Sequence, residues 1–282
     1  DRRRSRPERV VVGHAPGARR PRAGRCRLAR HAPGAARAAG DTARGEAILA
    51  RLDSILRATP RSFSPLSIDS QGVSFTFRLE QDAGVAALFK VDGSDIFCRT
   101  CGAAREVAVY RIDRLLWLDL TPMTVFQRIA EDGDTLRGSA MYWMQGARRP
   151  AEEGRSKPDR LRFLDAVIGN SDRHAANWLV REDGSVVAID HNRAFEYRPS
   201  SRPKTCWEAE VDSLAAPGAL GAPFDRYRAL PADSLAAAVD GILEPELADR
   251  FVALRDRVVE RIERRASRPE VPLPRNDCPW EG

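Results

Sequence analysis

Two spacings of apolar residues run through the chain, and each predicts a different kind of element. Alternation of apolar and polar residues predicts strands, whereas a repeat every three or four residues predicts amphipathic helices. Alternation predicts a strand over residues 73–79, and the shorter segments 85–91, 124–129, 139–144, 178–180 and 186–189 are also predicted to be strands. Helices are predicted over residues 45–58, 105–118, 159–168, 235–243 and 247–262. The Pro- and Gly-rich stretch 198–233 follows neither spacing, so it is predicted to be mostly irregular.

The order of these elements predicts two lobes. A β-rich half with one central helix comes first, and a helical half with one small hairpin follows. The predicted fold class is therefore α+β, a two-lobed protein-kinase-like layout with a β-rich N-lobe over residues 45–146 and a helical C-lobe over residues 147–266. Residues 1–44 are predicted to be a disordered basic leader, and residues 267–282 a loose C-terminal tail.

Charge separates the leader from the predicted lobes. The chain has 46 Lys and Arg against 40 Asp and Glu, but residues 1–40 contain twelve Arg and only two acidic residues. The other 242 residues carry 34 basic and 38 acidic side chains, so the lobes lack the basic face of a folded nucleic-acid reader. We therefore expect no sequence-specific nucleic-acid partner. The leader is also poor in Leu, Ile and Phe, which is typical of a disordered segment.

The cysteines and the longest apolar runs limit the remaining classes. One CxxC, formed by Cys98 and Cys101, lacks a second pair at zinc-ligand spacing, so loop thiols or a local disulfide are favoured over a metal site. No run approaches the 18 consecutive apolar residues that a transmembrane helix needs. With no export signal visible, a cytoplasmic location is expected, although the chain begins with Asp1 and the start of translation is not visible.

Three oxygen-bearing side chains in the second half have a spacing that suggests phosphoryl transfer. Asp172 and Asn177 lie five residues apart after a predicted helix, and Asp190 ends the predicted hairpin. A carboxylate can orient an acceptor hydroxyl, whereas an amide oxygen and a second carboxylate can hold Mg²⁺ or Mn²⁺ against the phosphates of ATP. Asp172 is the predicted catalytic residue, and Asn177 and Asp190 are the predicted metal ligands. Each residue alone also fits a capping, turn or strand-end role.

Three residues of the first half are predicted to bind the nucleotide. Lys90 ends an apolar strand, where its point charge suits phosphate oxygens. Glu106 opens the next helix and is predicted to pair with Lys90 or with a metal ion, although a helix-start glutamate also suits the helix dipole. Met144, at the end of the last strand before the connector, is the third nucleotide-binding candidate.

Two residues next to Asp172 are predicted to brace its loop. Arg173 and His174 follow it directly, and His174 lacks further ligands at metal spacing, so bracing is favoured over metal binding. His191 adjoins Asp190 and is expected near the site without an assigned role.

The segment 164–177 resembles the catalytic loop of atypical kinases with a Asp-Arg-His signature. These include the phosphatidylinositol 3-/4-kinases, the HipA group and the secretory-pathway kinases of the four-jointed and Golgi casein kinase type. The last group is the most similar, because it has related Ala-Leu-Phe-Lys, helix and Ile-Asp strand-end segments, here residues 87–90, 106–116 and 189–192. Asn192 stands where that group has glycine, and asparagine tolerates left-handed backbone well.

The resemblance implies a two-lobed enzyme that moves the γ-phosphoryl group of ATP to a hydroxyl of a protein, glycan or lipid. It assigns nucleotide binding to Lys90, with Glu106 as its helix partner, catalysis to Asp172 and metal binding to Asp190. A nucleotide-binding pseudokinase scaffold is an alternative, since residues 69–72 are the only candidate for a glycine-containing phosphate loop. A HipA-like regulatory Ser/Thr kinase is a second alternative. The oligomeric state stays open.

Overall fold

The computed structural model describes residues 42–66, 76–92, 102–131, 133–151, 157–170, 172–196, 207, 211–212, 214 and 217–267. The predictions for residues 1–41, for the five cysteines, for the phosphate-loop candidate at 69–72 and for the tail from residue 268 lie outside this part of the chain. Inside it, a strand-rich group of elements precedes a helix-rich group, which confirms the α+β class. No described helix is long and apolar enough to cross a bilayer.

An antiparallel sheet forms the N-lobe. Its strands pair in the order β1-β2-β3-β5-β4, which makes β3 the central strand of the five. The strands are β1 (Ser62–Pro65), β2 (Thr76–Glu80), β3 (Ala86–Val91), β4 (Thr124–Glu131) and β5 (Asp134–Tyr142). Lys90 of β3 therefore lies between Thr76 of β2 and Ser139 of β5. The predicted hairpin of β2 and β3 is present, with a short 3₁₀ turn, Asp82–Gly84, between them.

Helices α1 (Thr42–Arg57) and α2 (Ala103–Leu116) accompany this sheet. Leu49 and Leu56 of α1 pack into the N-lobe core. Helix α2 contacts both cores: Tyr110 packs against the N-lobe cluster, whereas its buried Val109 and Ile112 belong to the C-lobe cluster. Because α2 is packed on two sides, its first turn has a fixed position relative to both lobes.

The C-lobe combines helices with one small hairpin. Helix α3 (Asp159–Ile168) has the bounds that the sequence predicted, with Pro158 before it and Gly169 after it in a left-handed conformation, φ 56°. The hairpin consists of β6 (Trp178–Val180) and β7 (Val186–Ala188). Helices α4 (Pro217–Ala229), α5 (Ala232–Val239) and α6 (Pro245–Ala266) complete the lobe. Edge-on contacts of Phe163 with Tyr227 and of Phe195 with Phe251 tie these elements together.

The prediction of an irregular stretch over 198–233 was wrong for its last part. Helix α4 begins at Pro217, and Gly221 interrupts it with φ 50° and ψ −137°. Gly and Pro therefore mark a kink inside the helix, while the burial of Tyr227 and Phe224 stabilises the rest of it. Strand β1 was also missed, because it is an edge strand with mostly exposed residues and no apolar face to alternate.

A buried carboxyl group closes the C-terminal end of α2. The Asp113 side chain accepts a hydrogen bond from the Leu120 amide at 3.0 Å, and its backbone oxygen accepts one from the Leu118 amide at 3.1 Å. Burial raises the pKa of Asp113 from 3.8 to about 7, although backbone hydrogen bonds and Arg114 act in the opposite direction. Ionisation of Asp113 near neutral pH therefore lowers the stability of the folded state.

Replacing Asp113 with Asn should change how stability depends on pH. A raised folded-state pKa leaves stability intact below the unfolded value and removes it as the pH rises through the folded value. Asn keeps an oxygen acceptor for Leu120 and never ionises. The free energy of unfolding of Asp113→Asn, relative to that of the wild type, should therefore increase by about 1 kcal/mol or more from pH 5 to pH 8. Denaturant unfolding at both pH values measures this. The exposed Asp249→Asn is the control, and a pH-independent difference for Asp113→Asn would contradict the account.

Candidate active site

Lys90 lies near the end of the central strand β3. Its neighbours Ala87 and Phe89 are fully buried on one face, so alternation along the strand directs Lys90 to the other face. The Lys90 Nζ lies 2.7 Å from Glu106 Oε1 and 2.9 Å from Asp190 Oδ1. Three residues that the sequence placed in one site, from β3, from α2 and from the segment after β7, therefore meet at one ammonium group.

The position of Lys90 depends on close pairing with β5. A Cβ atom at Gly138 would lie 2.0 Å from the Lys90 backbone oxygen and 3.0 Å from the Phe89 ring. No side chain fits there unless the strands move apart, so β5 needs glycine at this point to hold the backbone of β3.

Negative charge exceeds positive charge in the cluster of Lys90, Glu106 and Asp190. Burial by itself would lower the pKa of Lys90, but the charges of Glu106 and Asp190 and their hydrogen bonds raise it above its ordinary value. Lys90 is therefore an ammonium group that faces two carboxylates. The Glu106 Oε2 atom is buried and has no hydrogen-bond partner among the described residues. The cluster thus offers an unused acceptor and a net negative charge.

The buried guanidinium of Arg173 organises the loop between α3 and β6. It pairs with Asp165 of α3, with Nη2 at 3.0 Å from Oδ1. It also donates to the backbone oxygens of Asn177 and, at 2.6 Å, of Ile189. These bonds join the end of α3, the loop and the segment after β7. The structure thus places Arg173, which was predicted to brace the loop, at its centre.

Asp172 and Asn177 lie close together within this loop. The Asn177 side-chain nitrogen donates to the Asp172 backbone oxygen at 2.7 Å. Because an amide side chain has one nitrogen and one oxygen, this bond leaves the Asn177 oxygen as the atom that can accept or coordinate. The Asp172 carboxylate is partly exposed, and its Oδ2 lies 4.0 Å from Nε of the exposed Arg193. The carboxylate is therefore accessible to an acceptor molecule.

Asp190 has left-handed backbone, with φ 58°. Aspartate and asparagine adopt this conformation more readily than other non-glycine residues. Asn192, where related kinases were expected to have glycine, is not left-handed, so the unusual conformation belongs to the metal-ligand candidate itself. The Ile189 amide donates to the Asn177 backbone oxygen at 3.1 Å, which links Asp190 to the loop of Asp172.

His191 connects the two halves of the site. Its backbone amide donates to Glu106 Oε1 at 3.0 Å, and its Nδ1 lies 2.9 Å from Arg173 Nη2. Because arginine only donates, Nδ1 is the acceptor and the ring is neutral. Burial, together with the charges of Arg173 and Lys90, holds the pKa of His191 well below its usual value. No role was predicted for this residue from the sequence, and in the structure it is buried and bonded to both Glu106 and Arg173.

The other two candidates have local contacts. His174 is exposed, and its Nδ1 accepts a hydrogen bond from the Ala176 amide at 3.2 Å, which caps the 3₁₀ turn Ala175–Asn177. Met144 lies just beyond β5 in the segment between the lobes, and its backbone oxygen accepts from the Ala147 amide at 3.3 Å. Its contact with a nucleotide stays a prediction.

Sequence reasoning missed two side chains that hold the site together. Asp165 is a buried carboxylate within the otherwise apolar inner face of α3, and that mismatch was a signal of a buried basic partner. Arg105 is a buried arginine in the first turn of α2, and its Nη1 donates to the Asn192 backbone oxygen at 2.8 Å. A helix-start arginine carries no comparable signal in the sequence.

Comparisons with known proteins agree with this arrangement. A sequence model of the phosphatidylinositol 3- and 4-kinase family matches residues 159–213, which include α3, the Asp172 loop, the hairpin and Asp190. No curated protein sequence matches the chain.

Solved kinase structures share the fold over most of the chain. A crystal structure of the Golgi casein kinase has a TM-score of 0.55 at 13% identity and covers 79% of this chain and 76% of that one. A crystal structure of the same kinase with Mn and ADP bound has a TM-score of 0.52 at 15% identity and covers 78% of each chain. The structure of hydra Fam20 with sugar has a TM-score of 0.51 at 16% identity and covers 77% of this chain and 89% of that one.

The chain therefore has a two-lobed, atypical kinase-like fold, as its resemblance to kinases with a Asp-Arg-His loop predicted. At these identities the structural likeness establishes the fold alone. Together with the family match over the Asp172 loop, it supports a kinase enzyme and ATP-dependent phosphotransfer.

The pair of Asp165 and Arg173 should be essential for stability. Both side chains are almost fully buried, 4% and 1% exposed. Removing one partner of a buried ion pair leaves the other charge uncompensated, so Asp165→Ala should lower the free energy of unfolding by about 3–5 kcal/mol. Denaturant unfolding measures this loss.

The exposed pair of Glu260 and Arg264 on α6 provides the matched control. Its side chains are 67% and 59% exposed, so Glu260→Ala should cost about 1 kcal/mol or less. An equal, small loss in both variants would show that the Arg173 network does not hold the loop.

Proposed function

We propose that the protein is a kinase that transfers the γ-phosphoryl group of ATP to a hydroxyl of a protein, glycan or lipid. The observation that carries the proposal is the contact of the Lys90 ammonium with both Glu106 and Asp190, beside the loop of Asp172 and Asn177. An ammonium suits phosphate oxygens, and carboxylate and amide oxygens suit a hard divalent cation. These are the parts that phosphoryl transfer by positioning and charge neutralisation requires.

Asp190 and Asn177 are the residues that would hold Mg²⁺ or Mn²⁺. The fit rests on the net negative charge of the cluster, on Glu106 Oε2, which has no hydrogen-bond partner in the described part of the chain, and on the Asn177 side-chain oxygen that its hydrogen bond leaves available. No group of three His, Cys, Asp or Glu in the described part of the chain could hold a metal unaided. ATP phosphates would complete the ligand set, as is usual for Mg²⁺ sites. A bound ion neutralises charge that develops on the phosphates.

Binding of nucleotide and metal would change the hydrogen-bond partners of Lys90. Its bond to Asp190 occupies a carboxylate oxygen that a cation would use, so that bond would break when the cation and the nucleotide bind. Glu106 is fully buried and keeps its bond to Lys90, which leaves the ammonium oriented toward the phosphates. Met144, just beyond β5, is the third residue that we propose contacts the nucleotide, on the basis of its place between the predicted lobes.

Asp172 acts on the acceptor. Its partly exposed carboxylate orients the incoming hydroxyl and accepts its proton as the hydroxyl oxygen bonds to the γ-phosphorus and the bond from that phosphorus to ADP, the leaving group, breaks. The hydrogen bond from the Asn177 side chain to the Asp172 backbone oxygen holds these two residues together. Arg173 links their loop to the segment of Asp190 by donating to the backbone oxygens of Asn177 and Ile189.

Removing the Asp172 carboxylate should slow transfer strongly and spare ATP binding. Because Asp172 touches neither Lys90 nor Glu106 in this account, Asp172→Ala should lower the transfer rate by about 10²- to 10⁴-fold, the usual contribution of a general base. The assay follows γ-labelled ATP into protein, glycan and lipid pools, and calorimetry follows ATP binding.

Asp249→Ala, at an exposed site on α6, is the control and should transfer at the wild-type rate. Equal transfer by Asp172→Ala and the wild type would remove Asp172 from the reaction. Binding of ATP by the wild type without transfer to any pool would favour the scaffold alternative instead.

A further inference from the structure

Arg105 connects the first turn of α2 to the segment that follows Asp190. Its side chain is 4% exposed, and its Nη1 donates to the Asn192 backbone oxygen at 2.8 Å and to Glu196 Oε1 at 3.0 Å. The Glu196 carboxylate balances the buried positive charge and is itself 34% exposed. These two acceptors lie 87 and 91 positions after Arg105 in the sequence. The Asn192 oxygen is two residues beyond Asp190, the proposed metal ligand.

The backbone around Asp190 is held on both sides. Arg173 binds the Ile189 oxygen before it, Glu106 binds the His191 amide after it, and Arg105 binds the Asn192 oxygen one residue further on. Arg105 and Glu106 are neighbours in α2, so one helical turn supplies two of these anchors. The left-handed conformation of Asp190 needs such support, because it costs free energy in a residue other than glycine.

We propose that Arg105 is a positioning residue for the metal site: it fixes the segment 190–196 so that the Asp190 carboxylate meets a nucleotide-bound cation. This inference rests on the proposed function. Arg105 acts through the backbone of its partners and does not touch the reacting atoms. Because α2 packs against both lobes, Arg105 also makes the geometry of the metal ligand depend on where α2 lies.

A purely structural role predicts something different. If the ion pair of Arg105 and Glu196 only stabilised the fold, its loss would lower the free energy of unfolding and leave the affinity for metal unchanged. A positioning role predicts loss of metal coupling, and residues that orient metal ligands change metal affinity about 10- to 100-fold when they are substituted.

The test compares ADP binding with and without Mn²⁺ in the full chain. Arg105→Met keeps the aliphatic bulk and removes the donors. Calorimetry at saturating Mn²⁺ and in chelator gives the gain in ADP affinity that the metal supplies. This gain should fall about 10- to 100-fold in Arg105→Met, while ADP affinity in chelator stays at the wild-type value. Arg111→Met, an exposed position on the same helix, should keep the full gain.

The outcomes separate the two proposals. If Mn²⁺ does not affect ADP binding by the wild type, the proposed function fails. If Mn²⁺ strengthens ADP binding equally in the wild type and Arg105→Met, the role of Arg105 alone is overturned. If Arg105→Met does not fold, Glu196→Ala decides, since it removes one of the two acceptors that hold the Arg105 guanidinium and so weakens its bond to the Asn192 backbone oxygen. That variant should lose part of the gain, and an unchanged gain would overturn the role of Arg105.

Discussion

The ammonium of Lys90 between two carboxylates is the interaction on which the rest of the structure depends. Taking charged groups out of water costs several kcal/mol per ion unless close partners compensate. Lys90 meets Glu106 and Asp190 within hydrogen-bond distance, so each of the three must be delivered accurately by a different element. The central strand β3, the helix α2 between two cores and the hairpin segment after β7 are these elements. The packing of these elements thus brings one positively and two negatively charged side chains together.

Backbone anchoring extends this constraint to the proposed catalytic loop. Arg173 donates to the backbone oxygens of Asn177 and Ile189, and the Ile189 amide also donates to the Asn177 backbone oxygen. The loop of Asp172 and the segment of Asp190 are therefore linked through their backbones. Phosphoryl transfer gains most of its rate from fixed positions and fixed charges. A site assembled from buried guanidinium groups and backbone atoms suits that requirement, because few of its parts can rotate freely.

The sequence predicted the parts of this arrangement whose signals are local. Helix α3 follows from apolar spacing and the strand that carries Lys90 from a short apolar run, and the grouping of Asp172, Asn177 and Asp190 follows from chemistry at short separations. The signals failed where tertiary contacts decide. Strand β1 forms because β2 pairs with it, and α4 forms despite Gly221 and Pro223 because Phe224 and Tyr227 are buried. Arg105 could not be assigned a partner, because Asn192 and Glu196 lie far from it in sequence. The carboxylate of Asp165 on an apolar helix face indicated a basic partner but did not identify Arg173.

The most direct test of the central claim is a crystal structure of the protein with Mn²⁺ and ADP. We expect the metal to contact the Asp190 carboxylate and the Asn177 side-chain oxygen, and Lys90 to leave Asp190 for the phosphates while keeping its bond to Glu106. Nucleotide bound away from this cleft, or a metal ion held without Asp190 while Lys90 stays paired with Asp190, would refute the proposed site.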